Sequence, residues 1–173
     1  MASNAAANSG NAAGAESHQV LTFVLGNETY GVDILRVQEI RGWSAVTKIP
    51  HAPSHVLGVL NLRGSIVPIV DLRMRFALER AEYTAVTVII VVSVNSPAGR
   101  RDFGVVVDGV SDVVDVVTAE VKSAPEIGSR AATDYIRGLV PVSERMVVLL
   151  DIDRLIANDM MAFSPSTEAA SAA

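Results

Sequence analysis

No cysteine occurs among the 173 residues, which excludes disulfides, thiolate metal ligands and cysteine nucleophiles. A basic surplus is also missing: 14 lysines and arginines face 19 aspartates and glutamates, so the formal net charge is 14 − 19 = −5. Within residues 19–163 the balance is closer, with 14 basic and 17 acidic side chains. Proteins that grip nucleic acid through its phosphates carry a basic stripe or excess, so nucleic acid is not an expected partner. Long apolar runs are lacking too. The longest strictly aliphatic one is Val88 to Val92, against the roughly 20 residues of a membrane helix. The opening Met-Ala-Ser-Asn-Ala-Ala-Ala-Asn-Ser-Gly has neither a basic n-region nor an apolar h-region. The expectation is a soluble cytoplasmic protein without direct membrane insertion, in which the sequon Asn27-Glu28-Thr29 is incidental.

What is abundant is β-branched aliphatic side chain, 27 valines and 11 isoleucines in a chain that is half apolar. Such side chains are stiff at χ1 and suit a pleated sheet, so the chain reads as mainly β. Residues 1–17 and 164–173 are Ala, Ser, Asn, Gly and Thr with little large apolar content, too poor to offset ordering entropy, and read as disordered tails flanking one domain over 18–163. Within it, strands are predicted over Gln19–Leu25, Thr29–Ile34, Arg36–Arg41, Val56–Leu62, Ile66–Leu72, Thr84–Val94, Phe103–Val107, Val110–Val117, Tyr135–Val142 and Arg145–Ile152. Gly26-Asn27, Arg63-Gly64 and Ser143-Glu144 read as turns, and Asp108-Gly109 as a type I′ hairpin turn. Pro68 inside its run points to an edge or a bulge, Leu72–Phe76 to a helical turn, and Asn95–Arg101 to a loop. Leu155, Ile156, Met160 and Phe163 at helical spacing behind Asp151 and Asp153 predict a short C-terminal helix. About ten short strands imply a sandwich or barrels. Five strands in each half-chain would fit two small barrels, and no internal repeat is clear.

Catalytic patterns do not assemble. Gly58–Gly64 has the wrong spacing for a P-loop and joins strands. Gly109-Val110-Ser111-Asp112-Val113 ends on valine where a nucleophile elbow needs glycine. His51 and His55 flank Pro53, which breaks the helix that would align them as metal ligands. Asp108, Asp112, Asp115, Asp151 and Asp153 lack the calcium-loop spacing. No enzyme activity, metal or cofactor is therefore expected. Polar residues set in apolar strands remain: Val37, Glu39 and Arg41 share one face of their strand, and Asn61 and Arg63 lie opposite Leu60 and Leu62. Spacing leaves two readings for Glu39 and Arg63, solvated edge residues or an ion pair that shapes an interaction surface.

These residues also carry a resemblance. Leu21-Thr22-Phe23, Tyr30-Gly31-Val32, Val37-Gln38-Glu39-Ile40, Gly58-Val59-Leu60-Asn61-Leu62-Arg63-Gly64, Val67-Pro68-Ile69-Val70-Asp71-Leu72 and Val107-Asp108-Gly109-Val110-Ser111-Asp112-Val113 occur in this order. Over Gln19 to Phe163 the chain closely resembles the bacterial chemotaxis coupling proteins, the CheW-like domain family. The resemblance implies two five-stranded SH3-like β-barrel subdomains on a shared hydrophobic core. It further implies a non-catalytic adaptor, recruited to membrane-associated receptor arrays, that joins the cytoplasmic helical hairpin tip of chemoreceptors to the regulatory domain of the histidine kinase CheA. In the family the residues matching Glu39 and Arg63 form an ion pair near the receptor-facing surface, with Val37 and Gly58 in the same region. Ile34, Val37 and Leu60 would line a groove for an apolar helix face, and Asn61 accompanies Arg63. Val88 and Val110 are carried over more weakly, core packing being the competing reading. The reading from another class is a small β-barrel that binds a metabolite or acts as a hydrolase through Asp or Ser residues.

Overall fold

The computed structural model describes residues 16–78, 82–125 and 134–162. The predicted tails, except residues 16 and 17, and Phe163 lie outside them. Ten strands are present: β1 Ser17–Leu25, β2 Glu28–Asp33, β3 Val37–Gly42, β4 Val56–Leu62, β5 Ser65–Asp71, β6 Val88–Ser96, β7 Gly99–Val107, β8 Gly109–Val117, β9 Ile136–Val142 and β10 Arg145–Leu150. A helical turn, α1 Leu72–Arg75, follows β5, and α2 Ile152–Ala162 follows β10. Ser17, assigned by composition to the tail, pairs with Val117 as the first residue of β1.

The strands form two five-stranded sheets, ordered β8-β1-β2-β10-β9 and β3-β6-β7-β5-β4. Each curls until its two edges approach. After β3 the chain bridges back at Thr47 to Val59 of β4, with N–H···O distances of 3.0 and 2.8 Å. After β8 it does the same at Lys122 to Leu139 of β9, at 2.8 and 2.7 Å. These are the two SH3-like barrels implied by the resemblance, but each half-chain does not supply one. The second barrel is continuous over 37–107, and the first is assembled around it from β1 and β2 before and β8 to β10 after.

Alternation within the strands explains the valine excess. Ile89 and Val91 fill the interior of the second barrel with Val67, Ile69 and Val106. Ile90, Val92 and Val94 point the other way, into a cluster between the barrels with Leu21, Phe23, Val70, Phe103 and Leu150. Val20, Val116, Val140, Val147 and Leu149 fill the first barrel. A strand buried on both faces reads as a continuous aliphatic run, and full burial of each such side chain contributes about 1.5–3 kcal/mol. The inner faces of α2, Ile152, Leu155 and Ile156, complete the shared cluster.

Several local expectations need correction. Asp108-Gly109 is no hairpin turn: β7 pairs with β6 and β5, while β8 pairs with β1, so this dipeptide crosses between barrels. Glycine's left-handed freedom is not used there; positive φ occurs at Gly26 in the β1–β2 turn, at 60°. Thr84–Thr87 is a turn, not the start of β6, because the Thr87 hydroxyl accepts the Thr84 N–H at 2.9 Å. Residues expected as a loop, 95–101, instead extend β6 and β7 around Pro97-Ala98. Ile34–Arg36 is a 3-10 turn capped by the Asp33 carboxylate on the Leu35 N–H. Pro68 lies on an inner strand, yet the parallel partner β7 joins β5 only from Ile69, so that side is still open at Pro68.

An internal repeat exists after all. β4–β5 and β9–β10 correspond at an interval of 138 − 58 = 80. Arg63 and Ser143 hold turn positions with φ of 54° and 53°, and the Asp71 and Asp151 amides donate to the carbonyls of His55 and Tyr135 at 2.8 and 2.7 Å. A β-carbon on Gly58 would strike the Thr47 carbonyl, and one on Gly138 the Lys122 carbonyl. In β3 and β8 the register shifts at matching places, equating Val37 with Val110 and Glu39 with Asp112.

Candidate protein-docking site

The β4–β5 turn sets Arg63. The Asn61 carboxamide oxygen accepts the Gly64 N–H at 3.0 Å, closing the turn and holding Arg63 at positive φ. From there its Nη2 reaches Glu39 Oε2 at 3.2 Å, across strands from opposite edges of one sheet. Arg41 Nη1 lies 3.9 Å from the other oxygen of Glu39, so one carboxylate serves two guanidinium groups. Arg63 is 85 % exposed and Glu39 28 %. A pair so open to water contributes little to folding and leaves most of the Arg63 donors free. The matching positions of the first barrel are Asp112 and Ser143, which cannot form such a pair. The ion pair thus distinguishes two otherwise equivalent faces.

The other predicted residues fall into separate sets. Ile34, Val37, Val88 and Val110 are half-buried against the cluster between the barrels. Val37 and Val88 sit four residues apart along β6, pairing with Val92 and Gly42 respectively. Leu60 packs instead against the interior cluster of the second barrel, so the three residues expected to line one groove do not share one packing site. Gly58 is buried beneath the Thr47–Val59 bridge; it shapes the surface without belonging to it. Asn61 is exposed and acts through the turn.

Sequence reasoning missed three exposed apolar side chains. Leu35 is 77 % exposed, Ile66 62 % and Ile40 44 %; Leu35 precedes Arg36 in its 3-10 turn, Ile66 lies on β5 just after the turn of Arg63, and Ile40 points to the side of β3 opposite Glu39. Ile40 is signalled by alternation with Glu39 and Arg41; Leu35 and Ile66 have no such sign, because single exposed aliphatic side chains are ordinary on a protein surface.

A second polar cluster is buried. Arg73 and Asp71 are each 2 % exposed. Arg73 Nε and Nη2 donate to the two Asp71 oxygens at 3.0 and 2.8 Å, and Nη1 reaches Asp108 Oδ1 at 3.2 Å and the Glu82 carbonyl at 3.3 Å. The hydrogen bonds Arg73 donates to Asp71 raise the Arg73 pKa above its ordinary value against the opposing effect of burial. Tyr83 donates its hydroxyl to Asp71 at 3.2 Å and lies under the guanidinium at 4.9 Å. Burial, and then the Asp71 charge, push the Tyr83 phenol up. Among the described residues no group of three or more His, Cys, Asp or Glu side chains could hold a metal ion, and no helix is long and apolar enough to cross a membrane.

The model of the CheW-like domain matches residues 19–160. The chain belongs to the CheW-like domain family. Within that family it is 48 % identical over 144 residues to the chemotaxis protein CheW of Klebsiella aerogenes, covering 83 % of this chain and 84 % of the relative. To the chemotaxis protein CheW of Treponema pallidum it is 35 % identical over 149 residues, covering 83 % and 84 %. The crystal structure of the scaffolding protein TtCheW from Thermoanaerobacter tengcongensis resembles it with a TM-score of 0.73 and 27 % identity, covering 82 % of this chain and 88 % of that one.

Proposed function

We propose that this chain is a non-catalytic adaptor of chemotaxis signalling, coupling the cytoplasmic tips of chemoreceptors to the regulatory domain of the kinase CheA. On this reading it works in the cytoplasm at receptor arrays. The observation that carries the reading is the Glu39–Arg63 pair, its arginine 85 % exposed and its counterpart positions in the first barrel, Asp112 and Ser143, unable to form one. An ion pair of little stabilising value is free to re-pair with a partner's charge. Val37, Glu39 and Arg63 are assigned to the receptor contact. A receptor state that changes the relative affinity of two kinase arrangements by roughly 1–3 kcal/mol is enough to shift kinase output.

The test is calorimetry of the chain with a purified CheA regulatory domain, with and without a receptor hairpin fragment. One-to-one binding to both is expected, and Arg63→Asp should weaken the receptor arm alone. Arg63→Asp retaining full receptor binding and full kinase control in a reconstituted assay overturns the assignment of Arg63; no binding to either partner overturns the adaptor reading.

A further inference from the structure

We infer that Arg36 and Asp153 are positioning residues for the docking site: their ion pair pins a β-bulge at the start of β3 and so aims Glu39 at Arg63. β3 and β6 pair Glu39 with Val91 but Val37 with Val92, so Gln38 is an extra residue with no partner position opposite it. A bulge bends its strand and re-aims the side chains beside it, and Glu39 is one of those side chains. Without the bulge, the register of Glu39 with Val91 would continue to Val37 with Ser93. That pairing is blocked. Arg36 Nη1 donates to the Ser93 carbonyl at 3.2 Å, and two residues further along β6 the Asn95 N–H donates to Asp153 Oδ1 at 2.9 Å. The guanidinium closes on Asp153 with two bonds, Nη1 to Oδ1 at 3.0 Å and Nη2 to Oδ2 at 2.7 Å, the fork that makes arginine–carboxylate pairs directional.

The repeat explains why the pin is needed. β8 carries a bulge at the matching place, and there the Thr22 hydroxyl takes both backbone groups of Asp112: it donates to the carbonyl at 2.9 Å and accepts the N–H at 3.1 Å. Asp112 corresponds to Glu39, so Thr22 corresponds to Val91, which has no hydroxyl. The second barrel therefore takes its pin from outside its own strands, from the first turn of α2. Arg36 and Asp153 are 25 % and 30 % exposed, so this pair is better enclosed than the one it aims. Ile152, Leu155 and Ile156 seat α2 in the shared cluster, which gives Asp153 a fixed base. The consequence for receptor binding rests on the adaptor reading; the consequence for strand register does not.

The experiment reads register from backbone nuclear Overhauser contacts in the full, isotope-labelled chain, and binding by calorimetry with a receptor hairpin fragment. Two variants break the pin: Asp153→Ala, and Arg36→Lys, whose point charge cannot span Asp153 and Ser93 together. Each should replace the contact of Val37 with Val92 by one with Ser93, and should raise the receptor dissociation constant about tenfold. Ile156→Val, which loosens α2 in the cluster without touching the pair, should leave register and binding as in the parent, which separates positioning from a general loss of stability. Arg36→Lys decides the matter if Asp153→Ala does not fold. An unchanged register in the pair variants, or an equal change in Ile156→Val, overturns the inference. A shifted register with receptor binding intact supports the pin and instead overturns the assignment of Glu39 to the receptor contact.

Discussion

The Arg73 guanidinium lies 3.2 Å from the Asp108 carboxylate, tying the helical turn of one barrel to the crossing that leads into the other. The second oxygen of Asp108 accepts the Gly26 N–H at 2.7 Å, in the β1–β2 turn of the first barrel. Arg73 therefore acts at a joint: a cation with nearly no exposure, satisfied by the Asp71 carboxylate and the Glu82 carbonyl within its own barrel and by Asp108 on the connection.

Removing that cation should be costly. Arg73→Met leaves Asp71 charged and buried without its partner, and a loss of about 3–5 kcal/mol in urea unfolding is expected. Asp108→Asn, at a partly exposed position, should lose about 1–2 kcal/mol and keeps the joint measurable if the arginine variant does not fold. Equal, near-zero effects in both variants would refute the joint.

Glycine positions should separate sharply. Gly58 has φ of 149°, and a β-carbon there meets the Thr47 carbonyl. Gly58→Ala should cost roughly 2 kcal/mol or more through strain and loss of the barrel-closing bridge. Gly42→Ala meets nothing within 4 Å and should stay within about 0.5 kcal/mol of the parent. Thermal or urea unfolding of the two variants makes the comparison.

The Glu39–Arg63 pair should matter little to folding. A double-mutant cycle with Glu39→Gln and Arg63→Met in the isolated chain is expected to return under about 1 kcal/mol. A larger coupling would mean the pair is a structural strut and would weaken its assignment to docking.

Alkali should unfold the protein through its phenols. The Tyr30 and Tyr83 pKa values are both raised above the ordinary 10.0, by burial first in each case. The unfolded chain loses these protons near pH 10 while the folded one retains them, so the folded state binds more protons there and stability falls as pH rises. The contribution is complete below pH 10 and disappears between pH 10 and the raised values. Absorbance titration of the parent and Tyr83→Phe should show that the variant lacks one late-titrating phenol. Its stability should also fall less steeply between pH 9 and pH 11.

The elements themselves were legible because alternation is a local property. Turns at Gly26-Asn27, Arg63-Gly64 and Ser143-Glu144, and the start of α2, all follow from residue type and neighbours. The joining of Glu39 and Arg63 was legible only as one of two readings, since their approach depends on curling the sheet until β3 meets the β4–β5 turn. Asp108-Gly109 misled for a physical reason. Its turn chemistry is real, but the carboxylate is taken by Arg73 and by the Gly26 N–H, 82 positions away. The repeat escaped notice because an entire barrel separates β2 from β8, and because Arg63 and Ser143 share a backbone conformation without sharing chemistry. The Trp43–Tyr83 stack, with ring centroids 4.0 Å apart, joins residues whose sequence neighbourhoods carry no common pattern.

The nested connectivity has a consequence for synthesis. As the chain leaves the ribosome, residues 37–107 can close their barrel as soon as β7 emerges. β1 and β2 are made first yet complete last, since β8 and β10 flank them in the finished sheet. Until then their apolar faces, Leu21, Phe23 and Leu25 among them, have only the newly closed barrel to rest on. The strands made ahead of the enclosed barrel thus wait longest for their partners, and their edges stay open to other nascent chains until β8 and β10 emerge.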